Sequence, residues 1–402
     1  MTSRTWPTRV AVSLIVLIAA LAVTSRTGAA HKPITSKYTF NDDVFPIFRD
    51  KCGRCHVEGG VGPMSLMTYE AAFPWAESIR VELIASHMPP ANALRGFGAL
   101  KHATLLTATE IDTVLTWATG GNPRGSVDQQ IPKVVLTNTW ALGTPDVTLD
   151  LPEVTLAADK MESTQEFTVA TGTIEAQWVR AADLLPGTPS VVRSAVITIK
   201  GVQNTELGAE HVLRRWLPGQ DIESIDGDGA AFKLPPNAVL SVKVHYKKTW
   251  QAEGQSPKDK STIGLYLAPK PNGRELLVVP IAGSLSMSPL DRTLTFTHTI
   301  DRSVDALALS PDDVPPNITL TASAVLPNGN RVPLVRMHTR ADWARRYWFE
   351  RPIPLPAGTT IEVVANLDDP DQLSSEAFGG LAPAKSSLAA HVVKLSLDVT
   401  SG

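Results

Sequence analysis

The chain has 402 residues, of which 43% are hydrophobic and 19% are charged, and its formal net charge is −3. This length exceeds one domain, so two or three domains are expected. A slightly acidic chain has no basic field for nucleic acid, and we therefore expect no nucleic-acid partner.

Residues 1–30 have the pattern of a signal peptide. Arg4 and Arg9 precede an apolar run over 10–23, and small residues follow as far as Ala30. We predict cleavage after Ala30 and export to the periplasm or beyond. An uncleaved anchor is the alternative, although the run is shorter than the roughly 20 residues that span a bilayer. No later stretch is apolar enough to cross a membrane, so no span is expected after cleavage.

Both cysteines of the chain lie three residues apart in "KCGRCH", as Cys52 and Cys55, with His56 directly behind them. This is the attachment pattern for c-type haem, in which two thiols form thioethers and the adjacent imidazole ligates the iron. A redox dithiol or half of a zinc site would need a βαβ context or two further ligands, and neither appears nearby. We predict one covalent haem c.

The second axial ligand is expected downstream of the motif. Met88 in "SHMPPAN" is followed by two prolines that stiffen the backbone. We predict Met88 as the distal ligand, with His87 as the main alternative. Met64 and Met67 lie too close to the attachment motif and are expected to pack against the porphyrin edge. His/Met ligation raises the reduction potential and leaves no open position, which favours an electron carrier.

Three segments around this motif have helical patterns. The segment before Cys52 has an apolar stripe that includes Phe40 and Phe48, "TYEAAFPWAESIRVELIAS" is amphipathic, and "TATEIDTVLTWATGG" has the capping pair Thr107 and Glu110. We therefore predict a small all-α cytochrome c domain over residues 31–127.

The remainder of the chain alternates with period two between Gly, Pro and Asn turns, as in "AVLSVKVHY" and "RTLTFTHTI". "PNGN" at 327–330 predicts a hairpin. Residues 128–285 and 286–402 are therefore predicted as two β-sandwiches.

Several motifs resemble those of a known family. They include "CGRCHVEGGVGPMSLMTYEAAFPWA" and "HMPP" in the first part, and "RRWLPGQ", "LPPNAVLSVKVHYKK" and "RPIPLPAGTTIEV" in the β part. The chain resembles bacterial proteins that join a cytochrome c to a copper type II, ascorbate-dependent monooxygenase module, as in peptidylglycine and dopamine β-monooxygenases. The resemblance covers nearly the whole mature chain. It implies two jelly-roll-like β-sandwiches, each with one copper, around a water-filled cleft for substrate and oxygen.

Most of the copper ligands that the resemblance implies are missing. The adjacent histidine pair of the first copper corresponds to Arg193 and Ser194, and only its third ligand is retained, as His245. The His-x-His of the second copper corresponds to 312–314, "DDV", and its methionine falls near 387–389, where there is none. One of six ligands therefore remains.

Other residues are poor substitutes for these ligands. His211, His298, His338 and His391 are scattered, and the carboxylates of Asp312 and Asp313 suit Cu(I) poorly. The charge of Arg193 opposes metal binding at its position. We expect no copper, or at most one ion at His245.

The sequence therefore predicts an exported c-type cytochrome that transfers single electrons. Its degenerate β module is expected to serve for docking or binding, with a redox protein, such as a copper-binding paralogue, as partner. The alternative is a haem-reduced, copper-dependent monooxygenase that hydroxylates an organic substrate with unorthodox ligands. A third hypothesis is a ligand-binding module with the haem as sensor.

Overall fold

The computed structural model describes residues 35–90, 93–94, 96–101, 106–203, 210–222, 225, 229–269, 274–284, 286–287, 293–314, 318–339, 345–366 and 392–401. The predicted signal peptide, His391 and the expected methionine position near 387–389 lie outside these residues. Within them, no helix has both the length and the apolar character needed to cross a bilayer.

The α-helices of the described residues lie in residues 35–136, which we call the N-terminal unit. They are α1 (Phe45–Ile47), α2 (Tyr69–Ala72), α3 (Ala76–Ile84) and α4 (Ala108–Thr119), with π-helical turns at Phe40–Val44 and Phe48–Cys52 and a 3₁₀ turn at Phe73–Trp75. The predicted cap of α4 is confirmed. The Thr107 hydroxyl accepts a hydrogen bond from the Glu110 amide, and the Glu110 carboxylate accepts one from the Thr107 amide.

An aromatic cluster forms the core of the N-terminal unit. Phe40 and Phe48 pack on the fully buried Trp117, with ring centroids 6.0 and 6.1 Å from the indole. The indole Nε1 donates to the carbonyl oxygen of Pro123, 3.1 Å away, so the polar atom of this buried ring is satisfied. The cluster fixes the helical segment that leads into Cys52.

The rest of the described chain is built from strands. They are β1 (Val147–Asp150), β2 (Val154–Thr155), β3 (Glu162–Ala170), β4 (Gln177–Leu185), β5 (Val192–Gln203), β6 (Glu210–Trp216), β7 (Phe232–Leu234), β8 (Val239–Lys247), β9 (Lys258–Asp259), β10 (Thr262–Ala268), β11 (Leu277–Ser284), β12 (Ser286–Met287), β13 (Thr293–Ile300), β14 (Val304–Asp313), β15 (Thr319–Val325), β16 (Arg331–His338), β17 (Tyr347–Leu355), β18 (Thr359–Asn366) and β19 (Val392–Ser401).

These strands form two β-sandwiches. In the first sandwich, sheet β1-β10-β4-β7 packs on sheet β3-β8-β5-β6, and in the second, sheet β11-β19-β14-β17 packs on sheet β12-β13-β18-β15-β16. The strand pairings within these sheets are antiparallel. Each sandwich has its own apolar core, and the short pair β2-β9 lies beside the first.

Side-chain alternation explains the first core. On β8, Leu240, Val242, Val244 and Tyr246 are buried, whereas the residues between them lie on the opposite face. His245 is one of the outward residues, opposite Ser194 in the register with β5. The predicted hairpin at 327–330 is also confirmed, since it joins the antiparallel strands β15 and β16.

The predicted fold class, a small all-α cytochrome c domain followed by two jelly-roll-like β-sandwiches, is wrong. Of the described residues, 44% are in strands and only 15% are in helices; the strands form several sheets, and no all-α domain is evident among these residues. The helices of the N-terminal unit are short and separated by irregular backbone. After α3, moreover, the chain leaves the helices and pairs with strands of the second sandwich through Ala93 and Leu100.

Candidate haem-binding site

The attachment motif lies on a tight turn at the end of the segment 40–52. The amides of Cys55 and His56 both donate to the carbonyl oxygen of Cys52, at 3.0 and 2.8 Å. This turn brings the two cysteines and the histidine to the wall of one cavity. The three residues that the sequence predicts to hold a haem are therefore adjacent in space.

The imidazole of His56 is held in one orientation. Its Nδ1 lies 3.1 Å from the carbonyl oxygen of Met64, an acceptor that requires the proton on Nδ1. Nε2 is then the unprotonated nitrogen and keeps its lone pair. Burial lowers the pKa of His56, against the raising effect of this hydrogen bond, and so favours the neutral ring that ligates metals.

The cavity beside this imidazole has a volume of about 270 Å³ and a predominantly apolar wall. Its lining includes Phe48, Leu66, Trp75 and Ile79 from the N-terminal unit. A flat apolar macrocycle fits such a wall, since it buries its surface there instead of in water. The residues of this cavity therefore fit a haem.

Met88 lines the same cavity as His56. The neighbouring His87 instead directs Nδ1 toward the carboxylate of Glu82, 3.1 Å away. Of the two candidates for the distal ligand, the structure thus brings Met88 to the cavity. Met64 is also in the lining, and Met67 is buried in the core of the N-terminal unit.

Burial governs the chemistry of the thiols. It raises the pKa of Cys52 to about 12 and that of Cys55 to about 11. Both groups are then thiols at neutral pH, whereas a redox dithiol or a zinc site uses thiolates of lowered pKa. Neither cysteine forms a disulfide. The raised pKa of both thiols disfavours a redox dithiol and a zinc site.

The first sandwich covers the motif from one side. Arg54 forms an ion pair with Asp221 and donates from Nη1 to the carbonyl oxygen of Gly219 at 3.0 Å. The Cys55 thiol lies 3.5 Å from the carbonyl oxygen of Pro218. The β module therefore contacts the haem motif directly, through the loop that follows β6.

Arg193 of β5 also lines the cavity. Burial is the largest cause of both shifts; the positive charge of Arg193 opposes the rise in the pKa of Cys55 and adds to the fall in the pKa of His56. The sequence identified Arg193 only as the replacement of a copper ligand. Its position at the cavity beside His56 could not be predicted from the local sequence, because it depends on how the first sandwich packs on the N-terminal unit.

His245, the one copper ligand that the resemblance implies is retained, pairs with an acidic neighbour. Its Nε2 lies 2.8 Å from Oε1 of Glu162, whose second oxygen is 3.3 Å from Nζ of Lys247. Of the two residues at the position where the resemblance implies a histidine pair, Arg193 lines the cavity beside His56 and Ser194 lies opposite His245. The arrangement is that of a surface hydrogen-bonded pair on a sheet.

Asp312, at the position where the resemblance implies a second copper, also forms polar contacts. Asp312 at the end of β14 forms an ion pair with Arg215 of β6 and accepts a hydrogen bond from Ser396 of β19. Among the described residues, no three His, Cys, Asp or Glu side chains group closely enough to hold a metal. His391 lies outside those residues, so the expected lack of copper stays a prediction.

The other histidines are separate from one another. His211 is buried on β6, His298 lies on β13 opposite Ile361, and Nδ1 of His338 is 3.4 Å from the hydroxyl of Thr319. Burial lowers the pKa of His211 and of His298.

A buried arginine joins the two sandwiches, and sequence analysis missed it. Arg346 lies 2.8 Å from Asp398, with side chains 6% and 1% exposed, and donates to the carbonyl oxygens of Val212 and Leu213 on β6. Its guanidinium also lies 5.3 Å from the ring centroid of Phe232. Burial raises the pKa of Asp398 to about 6, against the opposing effect of Arg346.

The sequence matches no family model. Nor does any curated protein match it. Among solved structures, the major capsid protein P2 from bacteriophage PM2 is similar with a TM-score of 0.27 and 7% identity, over 60% of this chain and 97% of that chain. A structure of allantoicase has a TM-score of 0.19 and 10% identity, over 58% of this chain and 76% of that chain. Similarities this low carry no argument about fold or function.

Proposed function

We propose that this protein is an exported c-type haem protein that carries single electrons, with one haem attached covalently to Cys52 and Cys55. His56 is the proximal ligand and Met88 the distal ligand. The observation that carries the proposal is the convergence of these four residues on one apolar cavity, with Nδ1 of His56 bound to a backbone carbonyl.

Each of these residues has a definite task. The carbonyl oxygen of Met64 keeps the proton on Nδ1 of His56, which leaves Nε2 as a ligand atom of fixed orientation. The apolar wall disfavours water in the cavity, and Met88 would supply a thioether sulfur as a second ligand to the iron. A bound haem would supply reversible one-electron chemistry at its iron.

The β module is proposed as the docking surface for a redox partner protein. The first sandwich contacts the attachment motif through Arg54 and Asp221, so a partner on this module is held close to the haem. A copper-binding paralogue is the partner that the family resemblance favours.

The ligand assignment is tested by two matched methionine substitutions in protein matured with covalent haem. Met88→Leu removes the thioether and should abolish the methionine-to-iron(III) charge-transfer band in the far red. Met64→Leu keeps the backbone carbonyl that binds His56 and should retain the band. Leucine replaces methionine at similar volume, so both variants should stay folded. A band that survives in Met88→Leu would remove Met88 from the site.

Attachment is tested by the variant Cys52→Ser, Cys55→Ser. It should contain no haem after denaturation and extraction with acid acetone, whereas the parent protein retains its haem. A parent protein that releases its haem in the same extraction would contradict the proposal.

A further inference from the structure

The chain between Met88 and α4 is held by the second sandwich, not by the N-terminal unit alone. We call residues 93–101 the clamp segment; the structure describes 93–94 and 96–101 of it. The Leu94 amide donates to the carbonyl oxygen of Arg336 at 2.7 Å, and the Lys101 amide donates to that of Trp348 at 2.8 Å. The Glu350 amide donates a third hydrogen bond, to the carbonyl oxygen of Ala99 at 2.9 Å.

Side chains of the clamp segment belong to the core of the second sandwich. Ala93 is 8% exposed and is part of the apolar cluster between its two sheets, and Leu100 packs against the same cluster. Ala93 is paired with Met337, and Leu100 with Phe349. The segment is thus integrated into the sandwich by both backbone and side chains.

Gly98 allows the clamp segment to lie close to β16 of the second sandwich. Gly98 has φ +78°, and a Cβ at this position would lie 2.0 Å from the carbonyl oxygen of Leu334. No side chain fits at that distance, so any residue with a Cβ must push the clamp segment away from the sandwich. Gly96 has nearly the same φ, +76°, but a Cβ there would meet nothing within 4 Å.

Met88 lies between two points of attachment. On one side, its amide is 3.3 Å from the carbonyl oxygen of Glu82 on α3. On the other, Ala93 is only five residues away, which is at most about 18 Å of extended chain. A displacement of the clamp segment from the second sandwich therefore loosens the residue that lines the haem cavity.

We propose that the second sandwich positions Met88 at the haem through the clamp segment, so that distal ligation depends on an intact contact with the β module. The inference rests on the proposed function, in which Met88 is the distal ligand. Gly98 and Leu100 are positioning residues in this account, because they act on the haem only through the backbone that carries Met88.

The test compares Gly98→Ala with Gly96→Ala in the full-length, haem-loaded protein. Both substitutions place alanine at a positive φ and carry a similar backbone cost, so their difference reports the contact with Leu334. The readouts are covalent haem content, the methionine-to-iron(III) band and carbon monoxide binding to the reduced haem. Carbon monoxide occupies the axial position only when Met88 has left it.

Gly98→Ala should lose most of the band and bind carbon monoxide with roughly tenfold or higher apparent affinity, because the fraction of protein with an open axial position increases. Gly96→Ala should match the parent protein. If both variants keep the band while Met88→Leu loses it, Met88 remains the ligand and the positioning role is overturned. A parent protein without covalent haem would instead overturn the proposed function itself.

A milder variant covers the case in which Gly98→Ala does not fold. Leu100→Ala removes the side-chain packing but keeps the backbone bonds of the clamp segment. It should raise the apparent affinity for carbon monoxide severalfold, in the same direction. Leu100→Ala with normal β-sheet circular dichroism, a full band and parental carbon monoxide binding would contradict the inference.

Discussion

Nδ1 of His56 lies 3.1 Å from the carbonyl oxygen of Met64, and this contact holds Nδ1 on the side of the ring that faces the Met64 backbone. The loop between the two residues is tight. Gly62 packs so closely on the ring that a Cβ added there would lie 2.7 Å from Nδ1. The orientation of the His56 imidazole is therefore set by a glycine as well as by a carbonyl group.

We expect Gly62→Ala to displace the ring of His56 and to lower haem incorporation strongly. The reason is steric, since real Cβ atoms do not approach other atoms within 3.0 Å. The measurement is the ratio of haem to polypeptide in purified protein, together with the visible spectrum. Gly59→Ala is the control, because its added Cβ would come no closer than 3.9 Å to Leu136 even though its φ is +78°. Equal haem content in both variants would remove the steric role of Gly62.

Replacement of Arg346 should lower the free energy of unfolding more than most single substitutions in this protein. Arg346→Met leaves Asp398 buried without its partner, and loss of one member of a buried pair costs about 3–5 kcal/mol. We expect the free energy of unfolding, measured with urea at pH 8, to fall by about that amount. The double variant Arg346→Met, Asp398→Leu removes both charges and should be more stable than the single one. A double variant as unstable as Arg346→Met would show that the buried charge is not the cause.

The buried pair of Arg346 and Asp398 should also make the free energy of unfolding depend on pH. The pKa of Asp398 is raised to about 6 in the folded protein, so the unfolded carboxyl, with a lower pKa, releases its proton first as the pH rises. Its contribution to stability is therefore largest below pH 4 and is lost as the pH rises through 6. Because protonation removes the charge, the loss in Arg346→Met should be smaller at pH 5 than at pH 8. A larger loss at pH 5 would reverse the assigned direction.

His245→Ala should leave the haem spectrum and reduction potential unchanged. The side chain lies on the outer face of β8, where it pairs with Glu162, and an exposed pair of this kind contributes about 0–1 kcal/mol. Copper analysis of the haem-loaded parent protein should find less than one ion per chain. The rival account, a copper-dependent monooxygenase, predicts two coppers per chain and an oxygen-dependent product that disappears in His245→Ala.

Because His211 is buried, we expect the protein to lose stability in acid. Neither ring nitrogen has a hydrogen-bond partner among the described residues, and burial lowers the pKa of the ring. Below about pH 6.5, the unfolded chain binds a proton here that the folded protein excludes, which reduces the free energy of unfolding by as much as about 1.4 kcal/mol per pH unit.

The variant His211→Leu should be at least as stable as the parent protein at pH 7 and should lose less stability between pH 7 and pH 5. Urea denaturation of both proteins at each pH measures the difference, in which the other titrating groups cancel. Parallel pH profiles would show that His211 is protonated equally in the folded and unfolded states.

Local patterns were predictable from the sequence where a short segment determines its own structure. The cap formed by Thr107 and Glu110 and the hairpin at 327–330 depend on residues that are close in the chain, and both are confirmed. The motif from Cys52 to His56 also carries its geometry within five residues. Met88 lies four residues after the end of α3 and lines the same cavity as this motif, although α3 ends before the two prolines are reached.

Contacts between distant parts of the chain could not be predicted in the same way, because they left no pattern in the sequence. The clamp segment pairs with strands about 240 residues later through backbone bonds, which leave no pattern in side chains, and this pairing is one reason why the all-α prediction failed. Arg346 and Asp398 appear in the sequence as ordinary surface charges. Arg346 is buried against β6 and β7 of the first sandwich, and Asp398 lies on β19 between β11 and β14.

The most direct test of the account is the mass of the intact, denatured polypeptide after expression with a cytochrome c maturation system. We predict one dominant species, a chain that starts after Ala30 and carries the added mass of one haem. The mass of the unmodified polypeptide, with neither Cys52 nor Cys55 alkylated by a porphyrin, would contradict the central claim.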